Sequence, residues 1–311
     1  MSLGFLKNKQ RLSVDKKLLY FLCLAFVVRM ALSFLPAFEY DQSAFRFWSY
    51  RLAEVGPAQF YSEQVFTNNP VGFLYIIWAI GLIKTNLLSH SFFFQNNQHY
   101  DLLLKLPANI ADLASAVLIY LMIKRKLSEN WAVLGFVLYA FNPAIIFDSA
   151  IFGQYDGIAV FFLLLSTYFL VAKRFPEISI IFASISWTLK PQTIAFAPLL
   201  ILFILFKTKF SRWLSTLLVS LLTVILIYFP FFPTNPFYGL IYTNSASTVL
   251  FTCTTCFAFN FWGLFGNWQN DLRTFLQIPL LYWGITLLLL SYIPIFFLKP
   301  FKKHLIEPFV Y

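Results

Sequence analysis

The hydrophilic side chains that could carry chemistry in this chain are few and come from distant segments. They are Asp41, Asn68 and Asn69, Asp112, Asp148, Gln154 and Asp156, Lys190 and Gln192, and Asn260, Trp262 and Asp271. Carboxylates, amides and a lone lysine make a coherent chemical set. A carboxylate can take a proton from a hydroxyl nucleophile, a lysine can stabilise a departing phosphate, and amides or an indole can hold a polar ligand. Group transfer from a lipid phosphate needs these functions together. Each of these residues lies in or beside apolar sequence, where ionisable groups are costly and are therefore candidates for function.

The elements that must position them are apolar throughout. Of 311 residues, 59% are hydrophobic, 21% aromatic and 12% charged, with a mean hydropathy of +0.72. Soluble domains carry roughly 25% charged residues, so this composition excludes a cytosolic enzyme, a secreted protein and a disordered chain. It predicts an all-α polytopic membrane protein. The formal charge of +10 does not point to nucleic acid. Most of the basic residues fall in five clusters, 7–17, 124–126, 173–174, 207–212 and 299–303. Each cluster ends an apolar run, the distribution of cytoplasmic loops.

Those clusters order the spans. The first helix, 18–38, is about 21 residues, long enough to cross roughly 30 Å of hydrocarbon, and is read as retained rather than cleaved. Helices over 103–123, 131–147, 157–172, 213–231 and 278–298 follow. Residues 178–206 are too few for two full spans and are predicted to form two short helices meeting at Lys190-Pro191-Gln192. The result is a bundle of about eight transmembrane helices, two of them short. It forms a single module over 18–299, between cytoplasmic tails at 1–17 and 300–311, with external loops at 39–102 and 232–277. Two segments of the first loop differ from plain loop. Residues 70–83 are apolar but only about 14 long, which suits a re-entrant segment. Residues 42–60 place Phe45, Trp48, Leu52 and Val55 at helical spacing with Arg46, Arg51 and Glu54 elsewhere around the helix, which suits a helix in the headgroup plane. Three cysteines, Cys23, Cys253 and Cys256, imply no disulfide framework.

Several stretches are similar to one family. They are Asp41–Ser49 (DQSAFRFWS) with Gly56–Ser62 (GPAQFYS), Asn68–Ile76 (NNPVGFLYI), Lys105–Leu113 (KLPANIADL), Asn142–Gly157 (NPAIIFDSAIFGQYDG), Leu189–Gln192 (LKPQ) and Asn260–Gly266 (NFWGLFG). In this order the chain resembles the GT-C superfamily of integral-membrane glycosyltransferases, which use polyprenyl-phosphate sugars as donors. More narrowly it is similar to bacterial relatives of the PIG-V mannosyltransferase of GPI-anchor assembly, and it shares loop features with endoplasmic-reticulum glucosyltransferases that extend lipid-linked oligosaccharides. The resemblance implies a GT-C-like bundle and an inverting hexosyltransferase, most readily a mannosyltransferase, in a bacterial-type inner membrane. Its termini would be cytoplasmic and its site external. The partners implied are a lipid-linked sugar donor, a glycan, lipid or protein acceptor, and membrane lipids, with room for a partner subunit. No firm cofactor is implied, and a divalent metal is left open.

By this resemblance Asp41 is the general base, Gln154 and Asp156 bind substrate or lipid phosphate, Lys190 contacts the phosphate, and Asn68, Asn69, Gln192, Asn260 and Trp262 bind substrate. Asp112 and Asp148 support the site from behind. Ordinary structural readings stand beside these: a helix N-cap for Asp41, a capped turn for Gln154 and Asp156, an extended interfacial amine for Lys190, a helix–helix bond for Asp112, and an interfacial anchor for Trp262. Arg29, midway along the first helix, either pairs within the bundle or reaches a lipid phosphate. One departure concerns Asn68-Asn69-Pro70-Val71, where the relatives carry Asp-Tyr-Pro-Pro. An amide cannot replace that acid, and Glu63 is the nearest substitute in sequence. Alternatives from other classes are a transporter or flippase for a lipid-linked sugar, and a non-catalytic subunit of a glycan-assembly complex.

Overall fold

The computed structural model describes residues 2–62, 65, 67, 69–250, 252–256, 261–266 and 268–297. Among them are twelve α-helices and a two-residue β-hairpin: α1 (Ser2–Ser33), α2 (Glu39–Gln59), α3 (Val71–Leu82), α4 (Asn97–Lys124), α5 (Glu129–Ala140), α6 (Pro143–Ile146), α7 (Asp156–Thr167), α8 (Pro176–Leu189), α9 (Ala197–Lys207), α10 (Phe210–Tyr228), α11 (Pro236–Leu250), β1 (Thr274–Phe275), β2 (Ile278–Pro279) and α12 (Leu280–Phe297). The architecture is all-α. Two helices, α4 and α10, are long and apolar enough to cross a membrane; α5 with the segment ending at Phe152, bent by 43° between its halves, makes a third if read as one span.

The remaining apolar helices are shorter because the chain interrupts them. Wider π turns follow α3, α6 and α7 at Ile83–Leu87, Phe147–Phe152 and Tyr168–Ala172. Pro191 separates α8 from a 3-10 turn, Pro191–Phe196, that leads into α9. The short pair meeting at Lys190-Pro191 is therefore present. Helix α1 begins at Ser2, inside the segment expected as a tail, and ends at Ser33 rather than 38. The stretch 232–277, expected as loop, contains α11.

Local chemistry sets several boundaries. The Asn96 side chain accepts from the Gln98 amide to open α4, and Asn142 accepts from the Ala144 amide with Pro143 at the first helical position of α6, both preferred N-terminal arrangements. Gly56 adopts φ 72° and, with Pro57, kinks α2. Helices α2 and α3 cross at Gly81, where a Cβ would overlap the Ser49 carbonyl. A Cβ on Gly72 would fall 2.6 Å from the Thr188 carbonyl oxygen, so α3 sits directly on the end of α8.

This close approach corrects the reading of 42–60. Phe45, Trp48 and Leu52 of α2 lie in one core with Phe73, Leu74 and Ile77 of α3, Tyr155, Ile158, Leu189, Tyr228 and Phe231, so the apolar face of α2 meets protein instead of lipid. Arg46, assigned to the polar side, is buried: its Nη1 donates to both oxygens of Asp101 on α4 at 2.7 and 2.8 Å, and its Nη2 pairs with Glu39.

Candidate functional site

Asp41 is the third residue of α2. The cap position belongs to Phe38, which makes no side-chain cap bond, so the N-cap reading of Asp41 does not hold. The start of α2 is fastened to the turn between α6 and α7. The Phe38 amide donates to the Phe152 carbonyl at 3.2 Å, and their rings stack with centroids 5.0 Å apart. The fully buried Gln42 donates from Nε2 to the Gly153 carbonyl at 2.7 Å. These contacts bring Asp41 beside Gln154, whose Nε2 donates to Asp41 Oδ2 at 2.5 Å. Asp41 is half-buried. Burial pushes its carboxyl above the usual carboxylate range, partly offset by the Gln154 hydrogen bond and the Lys190 charge.

The turn itself has a defined shape. Gly153, at φ 86°, ends the π turn in the left-handed region, which glycine adopts without a Cβ penalty, and the amides of Gly153 and Gln154 both donate to the Asp148 carbonyl at 2.9 Å. Tyr155 is buried, stacked on Phe73 with centroids 3.7 Å apart, and its hydroxyl donates to Asn69 Oδ1 at 2.8 Å. Lys190 approaches from the end of α8. Its backbone is extended (φ −143°, ψ 110°), as the following proline requires. Its ammonium pairs with Asp156 and lies 5.3 Å from the centroid of the Tyr155 ring, a cation–π arrangement.

Asp41, Asn69, Gln154, Asp156 and Lys190 are thus brought together by four separate segments. Asp148, in the π turn, interacts electrostatically with Asp156 and Lys190. Asp112 lies in the layer beneath, paired with Arg29 of α1 at 2.8 Å; Arg29 therefore pairs within the bundle. Gln192 is exposed in the 3-10 turn. Trp262 occupies a separate short turn, Phe261–Phe265, with its ring 6.5 Å from that of Phe265. The Asp271 amide donates to the Thr252 carbonyl and its own carbonyl accepts from the Leu281 amide, tying that region to itself. Cys253 and Cys256 are joined as a disulfide. Glu63, Asn68 and Asn260 lie outside the described residues.

Gln42, Tyr155 and Lys105 were not singled out from sequence. Lys105 caps the end of α1, donating to the Ser33 and Leu35 carbonyls at 2.9 and 2.8 Å. A signal for it existed: Asp101, Lys105, Asn109 and Asp112 form a polar stripe at helical spacing along one face of α4. No group of three or more His, Cys, Asp or Glu able to hold a metal occurs among the described residues.

Three of the basic clusters are joined to one another. Arg125 donates to the Ala172 carbonyl at 3.0 Å, Arg212 to the Arg174 carbonyl at 3.3 Å, and Arg212 also pairs with Glu177 at 2.8 Å. Compared with known proteins, the chain matches no family model, no curated protein and no solved structure.

Proposed function

We propose that this chain is an integral-membrane hexosyltransferase that moves a sugar, mannose in the first instance, from a polyprenyl-phosphate donor to a hydroxyl acceptor on the external face. The observation that carries the reading is the meeting of Asp41 with Gln154, beside the Asp156–Lys190 pair. A proton acceptor and a cation 149 positions apart in the sequence share one half-exposed site. Asp41 takes the proton from the acceptor hydroxyl as its oxygen attacks the anomeric carbon. The bond from that carbon to the phosphate oxygen breaks, and the electron pair leaves with the phosphate toward Lys190. One displacement inverts the anomeric centre. Burial raises the basicity of Asp41, which favours proton removal.

A GT-C-like arrangement of about eight membrane-crossing segments, with both termini cytoplasmic, is part of the same proposal. It is supported by the many large apolar side chains left exposed on α10 and α12, among them Leu217, Leu218, Leu226, Leu288 and Leu289, which lipid would cover. The joining of three basic clusters, 124–126, 173–174 and 207–212, through Arg125 and Arg212 also supports it. The experiment is reconstitution in liposomes with polyprenyl-phosphate mannose, polyprenyl-phosphate glucose and a panel of glycan and lipid acceptors, scored for covalent product. Movement of the donor across the bilayer without product would favour a flippase. A lack of both, with activity restored by co-purified protein, would favour a subunit role.

A further inference from the structure

Beneath the site lies a polar layer that the proposed reaction does not use. Arg29, Asn109, Asp112 and Ser149 are each 0–1% exposed and come from α1, α4 and the π turn at Phe147–Phe152. Arg29 Nη1 donates to Asp112 Oδ2 at 2.8 Å, to Ser149 Oγ at 2.9 Å and to Asn109 Oδ1 at 3.3 Å, while Nη2 donates to the Ala140 carbonyl that ends α5 at 3.2 Å. The Ser149 hydroxyl donates onward to Asp112 Oδ2 at 2.6 Å. Asp112 Oδ1 has no hydrogen-bond partner, and it lies where any Cβ on Gly157 would overlap it.

The geometry points to a positioning role: we infer that Arg29, Asp112 and Ser149 set the placement of the Gln154–Asp156 turn relative to Asp41. Ser149 precedes Gln154 by five residues on the π turn, and Gly157 directly follows Asp156. The network therefore holds the turn from both sides. Arg29 sits one helical turn below Ser33, and from there the chain runs to Phe38 and Asp41. A single guanidinium thus fixes both halves of the site against α4. Such a network costs desolvation, and a purely apolar layer would pack the helices equally well. What the charges add is one discrete arrangement of the two halves. Displacing reacting groups by about 1 Å can cost roughly 10²-fold in rate.

This inference rests on the transferase reading, so its test has one readout that needs no turnover. Two variants are made. Ser149→Ala removes a hydroxyl from a fully buried site without altering charge. The pair Arg29→Met with Asp112→Leu replaces the ion pair by apolar side chains, an exchange that folded proteins tolerate. In each, kcat and the donor KM are measured per folded molecule. In parallel, thiol cross-linking across Phe38→Cys and Phe152→Cys is measured in a Cys23→Ser background with a short bifunctional reagent. The expected result is a fall in kcat of roughly 10–100-fold at unchanged donor KM, together with a lower cross-linking rate. A merely structural role lowers folded yield and leaves both per-molecule quantities in place. Wild-type kcat and wild-type cross-linking in both variants would overturn the inference. If the unmodified protein transfers no sugar, the function proposed above fails, and cross-linking alone decides: a slowed rate supports the positioning role, an unchanged rate refutes it.

Discussion

Replacing Gln154 with Ala separates the two roles that the Asp41–Gln154 contact combines. The amide donates to Asp41 Oδ2 at 2.5 Å, so it both orients the carboxylate and stabilises its charge. A hydrogen bond to a charged group contributes about 1.5–3 kcal/mol. Asp41 is only half-buried, so the lower end applies, and about 1.4 kcal/mol corresponds to a move of roughly one pH unit in the acid limb of the rate profile. The pH dependence has a defined sign. Asp41 must be ionised to accept a proton, so transfer is present above its pKa and lost as pH falls through it. Burial already raises that pKa, and Gln154 and Lys190 both lower it. Removing either therefore moves the acid limb to higher pH. Asp41→Asn has no such limb and should lose roughly 10²–10⁴-fold in rate. The assay is initial-rate transfer in liposomes from pH 4 to 9, with turnover normalised to folded enzyme. An acid limb in Gln154→Ala that stays put or moves to lower pH, or an Asp41→Asn variant with wild-type turnover, refutes Asp41 as the base.

Three further outcomes follow from the packing. Gly81→Ala places a methyl group against the Ser49 carbonyl and should destabilise the protein by about 1–3 kcal/mol, read as a lower unfolding midpoint in detergent. Arg46→Ala leaves the buried Asp101 without the guanidinium that donates to both its oxygens and should cost about 3 kcal/mol or more by the same measurement. Tyr155→Phe keeps the stack on Phe73 but deletes the hydroxyl bond to Asn69; a loss near 1 kcal/mol is expected, and no change in stability would mean that the bond is not formed in the folded protein.

Much of the architecture was legible from apolar run lengths alone. The helices at 97–124, 210–228 and 280–297 fall close to the predicted runs, and Lys190-Pro191 reads as a break because proline restricts the residue before it. Two features escaped. Hydropathy does not report where an apolar face is buried against protein or against lipid, so α2 looked interfacial although α3 covers it through Gly81. Nor does it identify the partner of a buried charge. Arg46 falls off the apolar face of α2 in sequence, and its partner Asp101 lies 55 residues away. Of the candidate site, Asp41, Asn69, Gln154, Asp156 and Lys190 were all named from sequence. Their meeting depends on contacts such as Phe38 with Phe152 and Gln42 with Gly153, which join segments more than a hundred residues apart and leave no local pattern.

The polar stripe of α4 explains why those contacts can be so specific. On the membrane reading proposed above, apolar side chains among lipid tails gain little by leaving their surroundings, so helices are held by close packing and by polar pairs. Four residues on one face of α4 supply such pairs in sequence. Asp101 takes Arg46 of α2, Lys105 takes the carbonyls ending α1, and Asn109 and Asp112 take Arg29 and Ser149. Each pair leaves a costly buried group if its partner is displaced, so sliding α4 by one turn would strand several at once. The half of the site on α2 and the half on the 153–156 turn are therefore registered against the same helix. A chain built only of Leu and Phe at these depths would pack without choosing one register, and Asp41 would have no fixed partner in Gln154.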